Sequence, residues 1–162
     1  MRGVAVIGNP KLNSRTRDAA ERTLAALGVD EVTVLEVSEL GPALLGWGDP
    51  AVKDAVAQVS SADVAVFASP TFKASYTGLL KLFLDQFAGQ AGLANVVAVP
   101  LMLTAAPHHA LAVEYQLRPV LSELGATLPT TALSLIDSTY TEDGVIEAWA
   151  ERWAPVVRAL TA

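Results

Sequence analysis

Five valine-rich apolar runs recur along the chain, at Val4–Ile7, Val32–Val37, Val64–Phe67, Val96–Leu103 and Leu128–Ile136. Strands that are apolar along their whole length, rather than at alternate positions, are buried on both faces, as in a parallel sheet covered by helices. Parallel neighbours need a long crossover, and every gap between these runs is long enough for a helix. Repeated βα units of this kind predict an α/β fold.

The intervening segments carry helix signals. Residues 17–27 place Ala20, Leu24 and Leu27 on one face, with Gly28 as a left-handed stop. Residues 38–48 predict irregular chain. Asp49-Pro50 then supplies a cap and a first-turn proline ahead of Val52, Ala55, Val56 and Val59. Leu79, Leu80, Phe83, Leu84 and Phe87 form a wide helical stripe, expected to end at Gly89. Another helix is expected up to Leu124, with Val113, Leu117, Val120 and Leu121 inward and Gly125 as its stop. The last helix spans about Val145 to Leu160, with a kink expected at Pro155. Pro100 cannot donate to a ladder, so a bulge or an early strand end is expected there. The fold predicted is a three-layer doubly wound α/β sandwich, with a five-stranded parallel sheet in the flavodoxin-like order 2-1-3-4-5 and one domain over residues 1–162.

Ligands of such sheets bind outside the carboxyl ends of the strands, where the strand order reverses. Three loops are expected there. The first, Gly8–Thr16, is no P-loop, because it lacks the Gly-Lys-Ser/Thr ending, and with Gly8 as its only glycine it is no dinucleotide fingerprint. It does carry Asn9, Asn13, Ser14, Thr16, Lys11 and Arg15 just before a helix N-terminus. Orphan N–H groups, the positive end of the helix dipole and two cations suit one phosphate; an ordinary polar turn with a hydroxyl cap is the alternative. The second loop, Ser69–Gly78, offers Pro70, Thr71 and Phe72 as a seat for a flat ring, with backbone amides as donors and Lys73, Ser75, Tyr76 and Thr77 close by. The third, Thr104-Ala105-Ala106-Pro107-His108-His109, has small residues that admit a planar ring. No cysteine or carboxylate cluster accompanies the two histidines, so no metal site is expected, and they are read as helix-capping or solvent-facing.

Composition narrows the partners. A net charge of −6 without a Lys/Arg cluster argues against nucleic acid. The absence of cysteine excludes thiol chemistry. No apolar stretch is long enough to span a membrane, and no cleavage pattern follows Met1, so a cytoplasmic protein is expected. An apolar fraction of 52% points to an oligomer.

The motifs resemble a known family. Gly8-Asn9-Pro10-Lys11-Leu12-Asn13-Ser14-Arg15-Thr16 is similar to the Gly-Ser-x-Arg-x-x-Ser phosphate loop of the NADPH-dependent FMN reductases, and Ser69–Lys81 to their flavin-ring loop, Pro-x-Tyr-Lys-x-Ser-x-x-Gly-x-x-Lys. Leu111–Leu121 resembles the subgroup that supplies reduced flavin to alkanesulfonate monooxygenases. The resemblance covers about residues 4–125 and implies bound FMN, NADPH or NADH as hydride donor, a homodimer or homotetramer, and a flavin-dependent monooxygenase as partner. In that subgroup a tyrosine at the place of Tyr115 sits in a π-helix at a subunit interface and influences how flavin is held or passed on. Independently, Pro119 deprives the Tyr115 carbonyl of its helical partner, which favours a kink or a π-bulge. Three departures stand out: Asn9 and Lys11 where Ser and Arg are usual, Phe72 for Tyr, and Ala105-Ala106 for Gly-Gly. No acid, base or nucleophile is assigned, because the flavin carries the chemistry. Two other readings stay open: a quinone, azo or metal-ion reductase with tightly held FMN, and a flavodoxin-like electron carrier without NAD(P)H turnover.

Overall fold

The computed structural model describes all 162 residues. Strands β1 (Arg2–Ile7), β2 (Glu31–Glu36), β3 (Val64–Pro70), β4 (Val97–Thr104) and β5 (Leu133–Ile136) form one parallel sheet in the order β2-β1-β3-β4-β5. This is the expected order, with its reversal between β1 and β3. Helices α1 (Arg15–Leu27) and α5 (Val145–Leu160) cover one face. The other face carries α2 (Pro50–Ser60), α3 (Gly78–Leu84), a π turn at Val113–Leu117 and α4 (Arg118–Glu123).

The continuous apolar runs follow from this layering. Val4, Val6, Ala65, Phe67, Ala98 and Met102 pack toward α2, α3 and α4, while Ala5, Ile7, Val64, Val66, Val99 and Leu101 pack toward α1 and α5. The central strands β1, β3 and β4 therefore fill two cores at once, whereas the edge strand β2 is largely exposed, Val32 included. Gly28 closes α1 in the left-handed conformation, φ 79°, and Asp49 caps α2 through Ala51 N–H at 2.9 Å. Two short 3-10 turns broken at Gly41 occupy Val37–Leu45, in the stretch expected to be irregular.

Three expectations need correction. Helix α3 ends at Leu84, well before Gly89, because the bonds that follow tighten to three-residue spacing at Gln86 and Phe87. The tighter turn still brings Phe87 edge-on to Phe83, at 5.2 Å between ring centroids. Strand β5 has only four residues, since the chain before Leu133 leaves the ladder after one bridge at Thr127. Strand β4 neither bulges nor stops at Pro100; Pro100 pairs in register with Phe67 of β3. Ala98 N–H points toward the β5 side, to Thr127 O at 2.8 Å, and so does the carbonyl of Thr104, which accepts from Asp137 at 3.0 Å. By the two-residue period Pro100 nitrogen faces that side too, where residues 128–132 have left the sheet and no acceptor waits. Helix α5 runs as one element from Val145 to Leu160, with Pro155 inside it.

The π turn matches the reading of Pro119. Arg118 N–H reaches back five residues to Val113 O, bypassing Glu114. Arg118 is also tied to Leu128 O and Thr130 O, at 2.7 and 2.6 Å. Leu111 and Tyr115 project outward, 65% and 69% exposed.

Candidate functional site

The carboxyl ends of β1 and β3 are knitted together before any side chain faces a ligand. Gly8 N–H donates to Ala68 O at 2.8 Å. Thr77 Oγ1 donates to Gly8 O at 2.6 Å while accepting from Leu80 N–H at 3.1 Å, and Ser69 Oγ accepts from Thr77 N–H at 3.0 Å. A Cβ on Gly8 would lie 2.5 Å from Leu80 Cβ, so glycine is required there for helix packing.

Beyond Gly8 the first loop braces itself. Asn9 Nδ2 donates to Thr16 Oγ1 at 2.9 Å, and Asn9 Oδ1 accepts from Lys11 N–H at 2.9 Å. Asn13 takes the left-handed conformation, φ 50°, and its N–H donates to the buried Glu36 carboxylate at 3.2 Å. Arg17 links the same network, with Nη1 donating to Asn13 Oδ1 at 2.9 Å and lying 3.7 Å from Glu36. Ser14 caps α1 by accepting from Arg17 N–H at 3.4 Å. Because Ser14 and Thr16 both act as acceptors, each hydroxyl proton is left to donate outward. The N–H groups of Arg15 and Thr16, in the first helical turn, have no intrahelical partner.

These groups face a cleft of about 400 Å³, within the range of small-molecule sites. Ten of the residues expected to bind cofactor line it: Asn9, Lys11, Asn13, Ser14, Arg15 and Thr16 at one end, and Pro70, Thr71, Phe72 and Ala105 at the other. Lys73, Ser75, Thr104 and Ala106 do not. Thr104 is buried and braces the third loop, its Oγ1 donating to Ala106 O at 3.0 Å. Ser75 closes a hairpin with Phe72.

That hairpin corrects the expected source of ring donors. Pro70 has no N–H, Thr71 N–H goes to Leu103 O at 2.8 Å, and Phe72 N–H goes to Ser75 O at 2.8 Å. The unpartnered amides of this loop are those of Tyr76 and of Lys73 and Ala74 at the tip, the last two with positive φ, 51° and 65°. Two consecutive left-handed residues make a primed turn, for which glycine and asparagine are the usual choices. Thr71 Oγ1 is buried and has no hydrogen-bond partner in the chain. An orphaned hydroxyl in a cleft wall fits a polar ligand.

Two residues of the cleft were not anticipated, Leu103 and Asp137. Asp137, just beyond β5, grips Arg15 twice: its main-chain oxygen accepts from Nη1 at 3.0 Å and Oδ2 lies 3.2 Å from Nη2. Close by, Tyr140 donates to Asp18 Oδ2 at 2.8 Å, and burial, followed by this bond, pushes its phenol up to about 12. The His108 and His109 rings lie 4.0 Å apart at centroids and tilted by 55°, and do not line the cleft. Nothing in the local sequence at residue 137 marks it, because its partner is far away in the chain.

A family model described as NADPH-dependent FMN reductase matches residues 1–141, which extends the resemblance past β5 and Asp137. The FMN reductase (NADPH) of Escherichia coli strain K12 is 36% identical over 78% of this chain and 68% of its own length. The NADH-dependent FMN reductase SfnF of Pseudomonas fluorescens is 32% identical, covering 94% of this chain and 90% of its own. Among solved structures, an apo NADH:FMN oxidoreductase (EMOB) superposes with a TM-score of 0.81 at 34% identity, over 99% of this chain and 88% of that one.

Proposed function

The chain belongs to the NADPH-dependent FMN reductase family, and on that premise we propose that it reduces FMN with NADPH or NADH in the cleft beside α1 and releases the product to a flavin-dependent monooxygenase. The observation that carries this reading is the union, in one cleft, of a one-phosphate donor set with a wall containing an orphaned hydroxyl. The donor set fits the phosphate of FMN: the hydroxyls of Ser14 and Thr16, the first-turn amides of α1, and the cations Lys11 and Arg15. Thr71 Oγ1 would serve the polar edge of the ring, with Phe72 and Ala105 against its apolar part.

Bound FMN supplies the hydride acceptor. The chain supplies a phosphate anchor, a seat for the ring and an open side for the nicotinamide. No titrating side chain of the cleft is needed to move a proton. A homo-oligomer is part of the proposal, with Leu111 and Tyr115 as contact residues; their exposure on an interrupted helix supports it. So is a cytoplasmic setting, supported by the absence of any helix long and apolar enough to cross a membrane.

Oxidation of NADPH and NADH by the purified protein, with and without added FMN, tests the reading. Turnover that requires added FMN is the expected result. Flavin that co-purifies and turns over only with a quinone would replace release by a tightly bound reductase. Bound flavin without nucleotide oxidation would leave an electron carrier.

A further inference from the structure

We infer, resting on the FMN reductase reading, that Asp137 sets how long flavin is retained: it competes with the phosphate for the Arg15 guanidinium and keeps FMN exchangeable. Arg15 is the first residue of α1, where the helix dipole and free amides draw an anion. Its two terminal nitrogens are nevertheless turned to Asp137, at 3.0 and 3.2 Å. Asp137 is no wandering surface carboxylate, since its N–H is fixed to Thr104 O at 3.0 Å in continuation of the β4–β5 ladder. The competitor is therefore built into the sheet.

Charge leads to the same conclusion. Lys11 and Arg15 contribute two positive charges to the cleft and Asp137 one negative, which leaves a formal +1. A phosphate monoester carries about −1.5 to −2 at neutral pH, so the cleft under-neutralises it. The Arg15 and Asp137 side chains are 63% and 30% exposed, and ion pairs this open to water are weak. A weak competitor lets phosphate displace it and lowers affinity without abolishing binding, as a flavin that must leave requires. A residue whose task was to aim Arg15 at the phosphate would instead strengthen binding, so the two roles predict opposite signs.

The test is fluorescence titration of FMN and riboflavin against wild type, Asp137→Asn, Asp137→Ser and Arg15→Met/Asp137→Asn beside Arg15→Met alone. Expected are FMN affinity about fivefold tighter in both single Asp137 variants, riboflavin affinity unchanged, and no gain from Asp137→Asn once Arg15 is methionine. Unchanged or weaker FMN binding in both Asp137 variants overturns the inference, as does an equal gain for riboflavin or a gain that survives the loss of Arg15. Wild type that binds neither flavin overturns the FMN reductase reading itself, a separate outcome.

Discussion

The two ends of the cleft are built on different principles. At the α1 end the side chains are held by one another, Asn9 by Thr16, Asn13 by Glu36 and Arg17, Arg15 by Asp137, and only the hydroxyl protons, the first-turn amides and Lys11 are left to a ligand. At the hairpin end the polar group that would meet a ring, Thr71 Oγ1, is left unmatched, and the turn beyond it holds two left-handed residues, Lys73 and Ala74. One end is preorganised and its bonds hold without a ligand. The other carries an unmet polar demand that a ligand can satisfy. Substitution should therefore cost mainly stability or charge at the first end, and should separate stability from binding at the second.

Gly8→Ala strikes the junction of the two ends and should have the largest effect. Its Cβ would press on Leu80 at 2.5 Å, and overpacking of this kind costs about 3 kcal/mol; chemical denaturation is the measurement. Arg15→Ala should leave the fold intact and weaken FMN by about 1.5 kcal/mol, roughly tenfold in Kd, for the loss of a charge-assisted hydrogen bond. Equal FMN affinity by titration would remove Arg15 from the anchor. Thr71→Val should split the two quantities: the protein gains about 1 kcal/mol by losing a buried hydroxyl without a partner, while FMN binding falls by a similar amount. A variant that loses stability as well would place Thr71 with the braced end. Smallest is Ala74→Gly, which relieves a left-handed alanine at the expense of chain entropy, for a net gain of about 0.5 kcal/mol in thermal unfolding.

The same contrast explains what could be read from the chain. The α1 end was legible because its chemistry is local: hydroxyls, amides and cations crowd a strand-to-helix turn within nine residues, Gly8–Thr16. The parallel sheet followed from strands apolar along their whole length, and its order from the flavodoxin-like pattern of doubly wound sheets. At the hairpin end the residue types were legible but not their bonds. Nothing in Lys73-Ala74 announces a primed turn, and without that turn the Phe72 amide looks free. Asp137 was hidden for a different reason, since its contact with Arg15 spans 122 residues. The mistaken bulge at Pro100 came from treating every interior nitrogen as obliged to donate, when the neighbouring strand covers only part of β4.

That proline also guards the alignment of the edge strand. If β5 slid toward the amino end of β4, one of its carbonyls would come opposite a nitrogen that carries no hydrogen. The four-residue ladder from Leu101↔Leu133 to Thr104↔Ile136 is therefore the pairing that spends no acceptor on Pro100. Since Asp137 follows directly on Ile136, a slip of two residues would carry its carboxylate roughly 7 Å along the sheet, out of reach of Arg15. A missing donor in the middle of the sheet thus sets the address of the one negative charge in the cleft.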